Sequence, residues 1–117
     1  YSFLSSPNSY FNETGSTYEI KALENCELLA FHKKDLEYLS NKYQEFNIFY
    51  HKITATALHN MYLYTSMRLS LPADEFYAYL LKNYPDFIYR IPDKYLAQFI
   101  GVSKEWYSKI QKKVLKS

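Results

Sequence analysis

Cysteine, glycine and long apolar runs are all scarce in this chain, and each scarcity closes off a class of protein. Cys26 is the only cysteine, so no intrachain disulfide can form and no iron–sulfur cluster can be held. Lone cysteines are usually small core hydrophobes, and a buried structural thiol is the expected role of Cys26. No stretch approaches the roughly 20 apolar residues of a membrane span, and no signal peptide opens the chain. The default location is therefore cytoplasmic. The chain starts without Met, in mid-pattern on "YSFL", which reads as part of a longer protein. With only two glycines in 117 residues, each one marks a place where the backbone needs its freedom.

Aromatic residues are abundant by contrast. The 14 tyrosines can cover a core and still present hydroxyls to water or to a partner. Apolar residues make up 48% of the chain, enough for a packed domain. A net charge of +2 identifies no partner, but residues 104–116 carry five lysines against one glutamate. Such a local basic patch is what phosphate binding requires.

Residues 1–17 read as loop with one helical turn, being rich in Ser, Asn and Pro. Tyr18, Ile20 and Ala22 then alternate with Glu19 and Lys21, which predicts a half-buried strand. "LLAF", residues 28–31, is a second short strand able to pair back on it. At "HKKDLEYLSNKYQEF" the period becomes helical. From Phe46 to Leu69 neither Pro nor Gly interrupts the chain, and Phe46, Phe49, Ile53, Ala57, Met61, Tyr64 and Met67 recur every three or four residues. So long a striped helix needs something to lie along. It either packs on its own chain or pairs with a second copy. The latter is favoured, with Phe49, Ile53, Ala57, Met61 and Tyr64 at the seam. "SLPADEFYAYLLKNYP" predicts a helix opened by Pro72, with Asp74 and Glu75 on its positive end, and closed by Pro85. Pro92 opens another at "PDKYLAQFI".

Gly101 lies between two such short helical patterns. Helices often end on a left-handed residue, where glycine meets no steric penalty. Ser103 is then a good N-cap for the next helix. A helix-turn-helix needs a small residue where the helices press together, a turn residue four positions later, and apolar residues sealing the crossing. Ala97, Gly101, Leu96, Ile100, Val102, Tyr107 and Ile110 meet those demands. A plain αα-corner obeys the same packing physics. The second helix is set apart by its outer face, where Ser103, Lys104, Glu105, Ser108, Lys109, Lys112 and Lys113 are suited to base edges and phosphates.

"YEIKALENCELLAFHKKDLEYL", the long helix and "IPDKYLAQFIGVSKEWYSKIQKK" together resemble the Crp/Fnr family of bacterial transcription regulators, in its Bacteroidetes-type form. The resemblance implies a mainly α chain with a small β part. Residues 1–33 would be the last piece of a cyclic-nucleotide-binding-like β-roll, 34–70 a short helix and the long dimerisation helix, and 71–117 a helix-turn-helix DNA-binding domain. It implies a homodimer on double-stranded DNA, with RNA polymerase as a further partner. The family's Arg-Glu pair and following Arg on the recognition helix are replaced here by Lys104, Glu105 and Lys109. Lysine lacks the planar fork that reads guanine bidentately, whereas Glu105 retains the ability to accept from cytosine. The Glu and Arg positions that hold a cyclic phosphate in the family fall at Ser2 and Ser16. Cyclic-nucleotide binding is therefore not carried over, and no cofactor is expected. No β-hairpin wing follows the second helix within the sequence.

Two other classes compete. An enzyme would need converging groups, but His51 and His59 are eight residues apart on one helix and His32 is separate, which suits neither a metal nor a catalytic site. A dimeric helical protein-interaction module, with the helix-turn-helix as scaffold, is the stronger competitor because aromatic-rich surfaces favour interfaces. Basic residues gathered on the face of 103–113 would favour DNA, and scattered ones the module.

Overall fold

The computed structural model describes residues 4–116. Its described residues form seven helices: α1 (Pro7–Asn12), α2 (Lys33–Lys42), α3 (Gln44–Ser70), α4 (Ala73–Asn83), α5 (Pro85–Arg90), α6 (Asp93–Ile100) and α7 (Lys104–Val114). The mainly helical expectation holds. The chain divides into two units, Tyr1–Asn60 and Met61–Ser117, and the division falls inside α3.

The small β part is a point of difference. Among the described residues no strand forms, and 18–22 and 28–31 lie outside regular structure. Alternation makes a strand only where a sheet receives its apolar face, and an isolated pair of short strands is marginal. Nothing in this unit supplies that sheet, so Ile20, Leu28 and Leu29 are exposed. Cys26 is corrected for the same reason. Its thiol is exposed and donates to the Glu24 carbonyl at 3.2 Å. Local polar contacts tie the rest of this unit together. Tyr10 and Tyr50 share a hydroxyl–hydroxyl hydrogen bond of 3.1 Å, and Lys33 pairs with Glu13 at 3.1 Å. That bond and partial burial push the Tyr50 phenol up to about 12. Among the described residues of this unit, Leu36 is the one buried side chain.

The second unit closes a core. Phe76, Tyr77 and Leu80 of α4, Ile88 of α5, Leu96, Ala97 and Ile100 of α6, and Tyr107 and Ile110 of α7 form one buried cluster. The helix boundaries follow from local chemistry. Pro72 and Pro92 take the N-cap positions of α4 and α6, where a missing N–H removes nothing the helix uses. Asp74 and Glu75 occupy the first turn of α4, where the helix dipole favours negative charge. Pro85 does more than end α4. It occupies the first turn of a further short helix, α5, which carries Ile88 into the core.

Aromatic rings finish the packing. Tyr77 and Tyr107 meet edge to face with centroids 5.5 Å apart, and Phe99 touches Tyr64, Phe76 and Phe87 at 6.1, 6.1 and 5.3 Å. Such pairs contribute about 0.5–1.5 kcal/mol beyond area burial. Burial, followed by the neighbouring Tyr77 hydroxyl, pushes the Tyr107 phenol above its ordinary value.

Candidate nucleic-acid interface

The turn between α6 and α7 is built as its residues dictate. Gly101 caps α6 at φ 88° and ψ 34°, the left-handed region. Its N–H and that of Val102 both donate to the Ala97 carbonyl at 2.9 Å, closing the last turn. Ser103 follows in extended conformation, and its hydroxyl accepts from the Trp106 N–H at 3.2 Å. Ala97, Leu96 and Ile100 of α6 and Tyr107 and Ile110 of α7 are buried, as the crossing requires, and Val102 is half-buried beside them.

The opposite face of α7 is solvent-facing and basic. Lys104, Lys109, Lys112 and Lys113 are all exposed, as is Glu105. The Glu105 carboxyl is held below its ordinary range, chiefly by its own backbone amide at the positive end of α7 and then by the Ser103 hydroxyl. It stays charged, and an acceptor is what it offers a partner. The residues grouped by sequence are not equivalent, however. The Ser108 hydroxyl turns back to donate to the Lys104 carbonyl at 3.2 Å, and the Ser103 hydroxyl is used as a cap. Lys113 reaches Asp74 of α4 in an ion pair that pushes its ammonium up and the carboxyl down. The Lys109 ammonium lies 5.6 Å from the centre of the Trp106 ring.

Two residues outside the sequence reading join this surface. Trp106 is 53% exposed, large for an indole in a helix that packs its other face so tightly. Arg68, in the last turn of α3, lies against the turn itself: a Cβ on Gly101 would come within 2.9 Å of its guanidinium. Trp106 had a signal in the sequence, being a large apolar residue of α7 outside the inner-face positions of Tyr107 and Ile110. Arg68 carried no such signal, because it is 33 positions from Gly101 in the sequence.

The expected dimer residues fall into two groups. Phe49, Ala57 and Met61 are exposed, whereas Ile53 and Tyr64 are half-buried by their own chain. Tyr64 packs on the rings of Tyr84 and Phe99 at 5.9 and 6.1 Å, and burial followed by the Tyr84 hydroxyl pushes it up to about 12. A second apolar row, unnoticed in the sequence, runs along α3. Ile48, Ala55, Tyr62 and Leu69 recur every seven residues, with Leu58 beside them, and all are exposed. No residue of α3 is fully buried.

Among the described residues no helix is long and apolar enough to cross a membrane, and no group of three or more His, Cys, Asp or Glu side chains gathers as metal ligands. His32, His51 and His59 are exposed. Of the two serines at the cyclic-phosphate positions, Ser2 lies outside the described residues. The Ser16 hydroxyl is used locally, donating to the Tyr18 carbonyl and accepting from the Tyr18 N–H. Comparison of the chain with protein-family models, with curated proteins and with solved structures finds no match.

Proposed function

We propose that this chain belongs to a sequence-specific DNA-binding transcription regulator of the Crp/Fnr type, acting in the bacterial cytoplasm as a homodimer. The observation that carries the reading is the α6–α7 unit. A left-handed Gly101 and a Ser103 cap join two helices, the second burying one face and turning a lysine-rich face to solvent. In this reading α7 enters the major groove. Lys104, Lys109 and Lys112 meet phosphates and base edges, Glu105 accepts from a cytosine amino group, and Arg68 adds a cation beside the turn. The basic residues of α7 lie on its exposed side, which supports DNA over the protein-interaction module. Residues 18–31 supply the closing strands of a cyclic-nucleotide-binding-like β-roll, pairing once the rest of a roll receives them. The exposed apolar rows of α3 pair with a second copy, which spaces two recognition helices for a palindromic site. RNA polymerase is the further partner. No catalytic residue, cofactor or cyclic nucleotide is assigned.

The test is selection of bound sequences from random duplex DNA by the full-length dimer, followed by salt titration. Removing Lys104, Lys109 or Lys112 should each reduce the slope of log affinity on log salt by roughly 1. Lys113→Ala should change it least, because Asp74 already holds that ammonium. Glu105→Ala should relax preference at one base pair by about 1–3 kcal/mol while leaving scrambled DNA bound as well or slightly better. A slope untouched by the lysine changes would remove α7 from the DNA and leave the interaction module.

A further inference from the structure

From the stacking of Lys109 on an exposed indole, and resting on the DNA-binding reading above, we infer that Trp106 is a positioning residue for specificity. It holds the Lys109 ammonium as a fixed donor to guanine. Lysine alone is a poor reader of a base edge. Its four-carbon stem samples many rotamers, its ammonium is a point charge, and it loses that freedom on binding. A residue that fixes the ammonium beforehand lessens the loss.

Trp106 is placed to do this. Residues three apart on a helix are neighbours on its surface, and an indole is the strongest aromatic partner for a cation. The Lys109 Nζ lies 5.6 Å from the ring centre. At 100° per residue, Lys109 falls between Trp106 and the centre of the outward face marked by Glu105 and Lys112. The held ammonium is therefore on the groove side of the indole. The backbone N–H of Trp106 is engaged by Ser103, which anchors the first turn from which the ring projects. The ring is more than half exposed, so packing of the core does not account for it.

The test uses the full-length protein, with the duplex most enriched from random DNA and a scrambled duplex as probes. Trp106→Ala keeps the capping amide and every core residue, so the fold should persist by circular dichroism. Its affinity for the enriched duplex should fall about fivefold to thirtyfold, the span from an exposed cation–π contact to one desolvated against DNA, with less than about twofold loss on scrambled DNA. Trp106→Phe should recover part of the difference. Changing the enriched site's guanines one at a time should cost the wild type more than Lys109→Met at one position, and Trp106→Ala should lose its preference at that same position. Trp106 is the only tryptophan, so its emission should also change when the enriched duplex binds. Equal losses on both duplexes, or unchanged guanine preference in Trp106→Ala, would overturn the inference while leaving DNA binding intact. If wild-type protein enriches no duplex at all, the DNA-binding reading fails and takes the inference with it.

Discussion

Of the ten buried apolar residues among those described, nine lie between Phe76 and Ile110, and the tenth, Leu36, stands alone in the N-terminal unit. The C-terminal unit folds short amphipathic helices over tight turns, so each apolar stripe meets another within a few residues. The N-terminal unit has one short helix, a second short helix and the start of a long one, joined by a segment with no regular structure. Among its described residues only Leu36 is fully buried, and Leu29 remains 85% exposed. A domain stands when its elements can cover one another, whatever its hydrophobic content.

The largest effect expected is on the exposed rows of α3. Ile53→Glu with Met61→Glu would set unpaired charges against each other across a two-fold seam, costing several kcal/mol, and sedimentation should then show monomer. Leu58→Glu with Tyr62→Glu examines the second row in the same way. If the first pair remains dimeric and the second does not, the seam runs along the heptad-spaced row.

Next in size is the core itself. Leu96 is 0% exposed, and Leu96→Ala should destabilise the chain by about 2–5 kcal/mol in urea unfolding. Leu29→Ala should stay within about 0.5 kcal/mol. Similar values for the two would mean that the C-terminal cluster is not the stabilising core.

Gly101→Ala should cost about 1–2 kcal/mol, because a Cβ is disfavoured in the left-handed region. The new methyl would also approach the Arg68 guanidinium, but that is the end of a flexible side chain and can move. Adding Arg68→Ala should therefore recover little. Substantial recovery would show that crowding, and not φ, sets the demand for glycine.

The smallest effect concerns the exposed Asp74–Lys113 pair. The Lys113 ammonium donating to it holds Asp74 below its usual 3.8, so that carboxylate stabilises the fold above 3.8, and the gain is lost as pH falls through the lower folded value. Lys113 is raised above 10.5 by the same contact, so its share is present below 10.5 and fades as pH rises through the raised value. Asp74→Asn should slightly lower the unfolding midpoint at neutral pH, and the difference should shrink as pH falls below 3.8. A loss that stays constant as pH falls would exclude an ionic origin.

Local rules alone determined much of this protein. Pro72, Pro92, Gly101 and Ser103 each act through their own backbone chemistry, so the ends of α4, α6 and α7 were readable where those residues stand. The inner faces of α6 and α7 were readable too, since helical periodicity assigns Leu96, Ala97, Tyr107 and Ile110 to one side before any neighbour is known. Other features depended on what lies opposite in space. Alternation at 18–22 became no strand because no sheet meets it, and Cys26 stayed exposed for the same reason. Four lysines of one helix were divided by their surroundings, Lys113 going to Asp74 and Lys109 to Trp106, while Lys104 and Lys112 face solvent. Periodicity reports which way a side chain leaves its helix. Only the fold decides what waits for it there.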